Sequence, residues 1–394
     1  MKIQSAFAQH KNTEALIENV FSQLDASAIS PSILFAFFNT EHDVNTIQQA
    51  LHNKYQCPAL LASSCLGALG NNAEQFHALN DLVIFALEDA EGHYGVGSAS
   101  TNNQSPREAA NQAMMAALEN SDVPYESPAL VWCAMPPGNE EEMLAGFADV
   151  IGPNIPVFGG SAADNDVSGQ WQQGCHNDTG EDRVVVAVLY NSTPMGMSYS
   201  SGYKPTNKVC VATDVDGRVL HQLDNNTAAN VYDALTDHSI AASLKGGNVL
   251  GDTTLYPLGQ EIESTLGIPE YLLSHPDSVT EDGALTLFSE IDTNTQLIVM
   301  EGSVEGLVAR AEKVVNNAIG LLPEGSSPQG VLMIYCAGCM LTVDDNISTM
   351  LEKVRARVGD IPVAAAYTFG EQGRFLDGVN RHGNLMISAV VFGS

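Results

Sequence analysis

The chain has 394 residues, 44% hydrophobic and 16% charged, with 47 acidic side chains against 16 basic ones and a net charge of −31. That length exceeds one simple core, so two or three domains are expected, and the apolar content excludes a disordered chain. The negative field repels phosphate backbones and anionic lipid, which excludes nucleic acid and membrane surfaces as partners.

The N-terminal stretch MKIQSAFAQHKN holds no apolar run fit for a signal peptide, and no segment reaches the ~18 apolar residues of a membrane span. A cytoplasmic protein is expected. A helical stretch at 12–24 leads into SPSILFAFFN (30–39), a run of strand formers. Helical spacing follows at 44–55. A proline then opens CPALLASSCLGALG (57–70), and DLVIFALED (81–89) is a later β-rich run. GVGSAS (95–100) has a Gly-x-Gly but lacks the third glycine and the following acid of a dinucleotide site.

The same order then recurs. SPREAANQAMMAALEN (105–120) reads as a helix, SPALVWCAMPP (127–137) as a strand, NEEEMLAGFADVIG (139–152) as a helix, IPVFGGSAADND (155–166) as a strand and turn, and DRVVVAVLY (182–190) as a strand. A third copy begins at 303–320 and continues through SPQGVLMIYCAGC (327–339), DDNISTMLEKVRARVG (344–359), IPVAAAYTFGEQG (361–373) and NLMISAVVF (384–392). Near-continuous Val, Ile, Leu and Phe suit strands buried on both faces, and a proline at a strand's first residue removes no ladder bond. Between the second and third copies, VATDVDGRVLHQL predicts a hairpin about an Asp-Gly turn, and 274–284 reads as a solvated loop. The expected fold is α/β, with repeated strand-helix-strand units in helix-covered mixed sheets and an inserted β-rich subdomain. The expected domains are 1–191, with two units, a β-rich connection at 192–296, and a last unit at 297–394.

In open α/β sheets ligands sit beyond the carboxyl ends of the strands. There the third copy carries Tyr367, Thr368, Gly370 and Glu371, the first Ser63, Ser64 and Gly67, and the second Ser161, Asp164 and Asn165. Together these make either a polar ligand mouth, with Glu371 facing an amine, or ordinary turn chemistry. The seven cysteines are scattered and expected to be free thiols. Cys336 and Cys339 form a Cys-x-x-Cys that either shares a soft metal or a redox role, or fills a buried strand end. Among ten histidines, His176 and His382 each precede the last strand of a copy and are the candidate metal ligands. Phosphate-loop, zinc-protease and nucleophile-elbow motifs are absent, so no enzyme is expected. A thiol enzyme built on Cys65 or Cys336 is the competing class.

The succession ASSCLGAL, FGGSAADN, SSGYKP (200–205), YPLG (256–259), YCAGC and YTFGEQG resembles the FIST sensory proteins, which carry an N-terminal and a C-terminal FIST domain. The resemblance covers nearly the whole chain, and the segment around TFGEQG is its most specific part. It implies a ligand-binding module of signal transduction. A chain with both domains and no fused output resembles the nitric-oxide-sensing NosP branch. That branch implies non-covalent haem b and a partner histidine kinase or cyclic-di-GMP enzyme. Arg374, Arg381, Lys204 and Lys208 are then the cations near the haem propionates. Cys339 stands where an arginine is common in the family, which leaves open a general small-molecule ligand, amino-acid-like, or a cysteine-bound metal.

Overall fold

A computed structural model describes residues 1–71, 75–262 and 267–394. The first unit runs β1 (Lys2–Ala8), α1 (Thr13–Ala26), β2 (Ile33–Phe38), α2 (Val44–Tyr55), β3 (Ala59–Ser63), β4 (Ala68–Asn71), β5 (Phe76–Asn80) and β6 (Leu82–Glu88). The second runs β7 (His93–Ser100), α3 (Pro106–Glu119), β8 (Leu130–Met135), α4 (Glu140–Ile151), β9 (Val157–Ser161), β10 (Gln173–Cys175), β11 (Asp178–Gly180) and β12 (Arg183–Tyr190). The third opens with β13 (Met195–Ser201). It is then interrupted by β14 (Lys204–Asp216), β15 (Val219–Leu223), β16 (Asn226–Thr227), α5 (Ala228–Leu235), β17 (Gly247–Asn248), α6 (Leu250–Thr253), β18 (Leu258–Ile262), β19 (Glu270–Ser274), β20 (Pro276–Val279), β21 (Leu285–Leu287) and β22 (Gln296–Glu301). It resumes with α7 (Val304–Gly320), β23 (Pro328–Cys336), α8 (Ala337–Thr342), α9 (Ile347–Val358), β24 (Val363–Thr368), β25 (Gly370–Arg374), β26 (Asn380–Gly383) and β27 (Met386–Gly393).

The three units share one topology. Their sheets are ordered β1-β6-β2-β3, β7-β12-β8-β9 and β13-β27-β23-β24, with the last two strands of each parallel. Each sheet is completed by a hairpin from another unit. β10-β11 of the second unit extends the first sheet, β25-β26 of the third extends the second, and β4-β5 of the first extends the third. The exchange closes a ring. The expected repeat is therefore real at the level of topology, and the fold is the mixed α/β architecture read from the sequence.

The apolar runs explain the layers. One face of each of the first two sheets enters a common core with the third. There Phe35 meets Trp132 edge-on at 5.9 Å and Phe85 meets Phe392 at 5.9 Å. The other face of the first sheet is covered by α1 and α2, and that of the second by α3 and α4. Gly95 and Gly97, in the segment that fails as a dinucleotide motif, let α3 press onto β7. A Cβ at Gly95 would fall 2.0 Å from the Ala117 carbonyl oxygen. Ser105 opens α3 with a capping box: its hydroxyl accepts from Glu108 N, and the Glu108 carboxylate accepts from Ser105 N. Ser105→Ala is expected to cost about 1 kcal/mol, read as a lower urea midpoint at unchanged slope.

The insertion is a nine-stranded antiparallel arrangement from β14 to β22. Its hairpin lies where expected, but Asp216 pairs with Val219, so the turn is Gly217-Arg218, with Gly217 at φ +55°. The expected solvated loop is different: Pro276–Val279 is strand β20, flanked by the buried His275. Its polar residues sit on a strand with only partial cover, which hides the periodic signal. No helix among the described residues is long and apolar enough to cross a membrane.

Candidate functional site

The parallel strands of the three units end in one ring. Cys65 N donates to Tyr367 O, Ala163 N to Ser63 O and Phe369 N to Ser161 O, at 3.0, 3.1 and 3.1 Å. All ten ligand candidates lie in or beside this ring, and a few of them bond one another: Ser64 with Gly67 and Tyr367, and Thr368 with Glu371. Ser63 Oγ accepts from Gln172 N, while Ser64 Oγ accepts from Tyr367 N and donates to Gly67 O. Asp164 accepts from Val167 N and Gln170 N and shapes its own loop. Asn165 bridges units, donating to Asn39 Oδ1 and accepting from Leu66 N. The Tyr367 hydroxyl donates to Ala78 O. Gly370 leaves room for His382, whose Cε1 would lie 2.3 Å from an added Cβ.

Glu371 answers why this turn carries a hydroxyl and a carboxylate together. It is fully buried; Oε1 accepts from Thr368 Oγ1 at 3.0 Å and Oε2 from Met386 N at 2.9 Å. Burial, with Cys336 nearby, pushes its carboxyl well above the ordinary range. Its backbone carbonyl accepts from Tyr199. The residue stitches β25 to the start of β27.

A second buried cluster lies beside it and was not legible in the sequence. Glu140, 2% exposed at the start of α4, accepts from Ser161 Oγ at 2.6 Å and pairs with Arg218 of the inserted hairpin at 2.6 Å. Arg218 also reaches Glu141 at 2.5 Å. Burial raises the Glu140 pKa, but the facing His382 and Arg218 and the Ser161 hydroxyl overcome this and hold the carboxyl below its usual range. Gln372 donates to Ser161 Oγ at 3.3 Å, and its amide nitrogen lies 3.1 Å from His382 Nδ1. His382 Nε2 lies 3.1 Å from Phe288 O; a carbonyl only accepts, so Nε2 carries a proton. This network joins the second unit, the insertion and the exchanged β25-β26 hairpin. In the sequence Glu140 is one of three consecutive acids and Arg218 a turn residue, which are ordinary surface signals.

The metal candidates are dispersed. His176 is exposed at the β10-β11 turn, His382 is held at both ring nitrogens, and Cys336 and Cys339 are buried where β23 meets α8. The hydrogen bond from Cys339 and burial raise the Cys336 pKa well above the thiol range. Burial likewise pushes Cys65 up to about 12, which leaves it a poor nucleophile at neutral pH. Among the described residues no group of three or more His, Cys, Asp or Glu side chains is arranged to hold a metal ion.

Above the buried cluster opens a cleft of about 500 Å³. Leu144, Ala148 and Ile151 of α4 form one wall, Gln260, Ile262 and Leu272 of the insertion another, and Asn380, Arg381 and His382 of β26 the third. Glu141, Glu290 and Asp292 also line it. Burial, then the neighbouring Glu141, raises the Glu290 pKa.

Comparison with known proteins places these features in a family. Residues 32–226 match the FIST N domain and residues 228–374 the FIST C domain. An uncharacterized protein of Methanocaldococcus jannaschii is 30% identical over 96 residues, which is 24% of this chain and 18% of that protein. The chain thus spans under a fifth of that relative's length. Among solved structures, a cyanuric acid hydrolase from A. caulinodans aligns over 99% of this chain and 97% of its own, at 9% identity and a TM-score of 0.37. PurLQS from Thermotoga maritima aligns over 83% of this chain and 74% of its own, at 9% identity and a TM-score of 0.24. The two matched domains cover most of the chain: it is a member of the FIST family, whose domains are sensory modules that bind small ligands in signal transduction.

Proposed function

We propose that this chain senses a small amine-bearing metabolite, amino-acid-like in size, in the cleft between α4, the inserted sheet and β26. One observation carries the reading: three separately built parts of the chain wall a single cleft whose carboxylates, Glu141, Glu290 and Asp292, outnumber its cations. A ligand ammonium would offset the burial and the repulsion that together raise the Glu290 pKa, and its apolar part would rest on Leu144, Ala148 and Leu272. Bound ligand favours one arrangement of the three walls over others, which is the requirement for a sensor. A histidine kinase or cyclic-di-GMP enzyme would read that arrangement.

The test is a thermal-shift panel of amino acids and diamines. A ligand at about 100 times its Kd adds about 2.7 kcal/mol to stability. Glu290→Gln with Asp292→Asn is expected to weaken that ligand at least tenfold without lowering the melting temperature of the free protein. An empty panel, or unchanged affinity in the double variant, overturns the reading.

Haem is the second ligand that the family resemblance raises. The donors here do not fit it well: His382 has both nitrogens engaged, Cys336 is buried with its thiol pKa raised, and His176 does not line this cleft. Haemin titration is expected to give a broad Soret band that nitric oxide leaves in place. A sharp band that moves with nitric oxide restores the haem reading.

A further inference from the structure

A second cleft, of about 790 Å³, lies between β13, α7, the 268–271 segment and the β25-β26 connection. Its charge is anomalous for this chain. The protein has eight arginines among 47 carboxylates. Six of them, at 107, 183, 218, 355, 357 and 381, meet a carboxylate within 4.0 Å. The remaining two, Arg310 and Arg374, both line this cleft. Among the described residues Arg310 donates no hydrogen bond, and its Nε is buried without a partner. Burial lowers its pKa, and no carboxylate among the described residues opposes that. Arg374 donates to the Asn154 carbonyl and makes no ion pair within 4.0 Å among the described residues, although its charge helps to lower the Asp377 pKa. The Ser200 hydroxyl, buried and also unpaired, belongs to the same cleft, with Lys204 in its lining. Glu270 is the one acid lining the cleft among the described residues; burial raises its pKa, and it accepts from Leu376 N. Tyr271, Phe375, Ile268 and Leu321 supply an apolar and aromatic lining.

Holding a desolvated guanidinium without a counter-ion costs stability, and a chain with this many acids has carboxylates to spare for it. We infer that the cleft is a binding site for an oxyanion, a carboxylate or phosphate monoester carried on an aromatic or aliphatic body. Arg310 of α7 and Arg374 at the end of β25 supply the charge for the anion, and the Ser200 hydroxyl completes its hydrogen bonding. The site is separate from the acidic cleft and stands if the amine reading fails.

The test uses phenyl phosphate and benzoate as probes, with benzyl alcohol as their neutral counterpart. At about 10 mM, one of the two anions is expected to raise the melting temperature by ~3 °C, and which one does so separates phosphate from carboxylate recognition. Benzyl alcohol should have no effect. Arg310→Met is expected to raise the melting temperature of the ligand-free protein by ~3 °C and to abolish the anion response. Arg374→Gln, on the more exposed wall, should weaken the probe at least tenfold, and Arg107→Gln, in a surface ion pair, should leave it unchanged. Failure of both anions to bind overturns the inference. An equal response to benzyl alcohol, an unaltered response in Arg374→Gln, or a lower melting temperature in Arg310→Met does the same.

Discussion

Arg218→Met is expected to lower the unfolding free energy by about 3–5 kcal/mol at pH 7, the usual cost of stranding one partner of a buried ion pair. Glu140 is 2% exposed and would lose its nearest cation, with Ser161 and the more distant His382 remaining. The sign of the pH dependence follows from the depressed Glu140 pKa. A carboxyl whose folded pKa lies below its unfolded value stabilises above that unfolded value, about 4.3, and the stabilisation disappears as pH falls through the folded pKa. The penalty for Arg218→Met should therefore be smaller at pH 4 than at pH 7. Adding Glu140→Gln removes the stranded charge, so the double variant should be more stable at pH 7 than Arg218→Met alone. Denaturant melts of the single and double variants form the cycle. A double variant no more stable than Arg218→Met shows that the charges are not coupled.

Glu371→Ala is expected to cost about 2–4 kcal/mol, because it leaves Thr368 Oγ1 and Met386 N without their acceptor in a fully buried place and opens a void. Glu371→Gln should cost far less at pH 7, since the amide is of similar size, keeps an acceptor oxygen, and replaces a carboxyl whose charged form burial disfavours. The sign is opposite to that of Glu140. A carboxyl whose folded pKa is raised favours the native state at low pH, and that advantage is lost as pH rises from about 4.3 toward the folded pKa. Wild-type stability should carry this downward component between those limits, and Glu371→Gln should flatten it. Equal pH profiles for the two proteins would show that Glu371 is ionised in the fold.

The three-unit repeat was legible because strands buried on both faces are written as long apolar runs, such as ILFAFF and RVVVAVLY. The exchanged hairpins were not. Strands as short as QGC, GEQGR and NRHG are mostly glycine and polar residues, and they are held by backbone pairing in a seam, so they show no hydrophobic period. The strand-end residues were legible as a cluster because hydroxyls, glycines and carboxylates recur after each parallel strand. Their direction was not: Ser64, Thr368 and Glu371 meet partners about 300 residues away, or on the next strand, rather than a cavity. The clefts escaped for the same reason. Each is assembled from segments far apart in the chain, and only the fold shows that Arg310 has no counter-ion among the described residues.

The circular exchange of hairpins bears on how this chain can be cut. Two family domains meet near residue 227, which suggests two modules that could be expressed apart. Severed there, the N-terminal half would keep β4-β5 with no third sheet to receive it, and its second sheet would end at β9 for want of β25. The C-terminal half would present β24 as a bare rim. Both fragments would show unpaired backbone to the solvent and should clump or find each other again. The working unit of inheritance and engineering is the uncut chain.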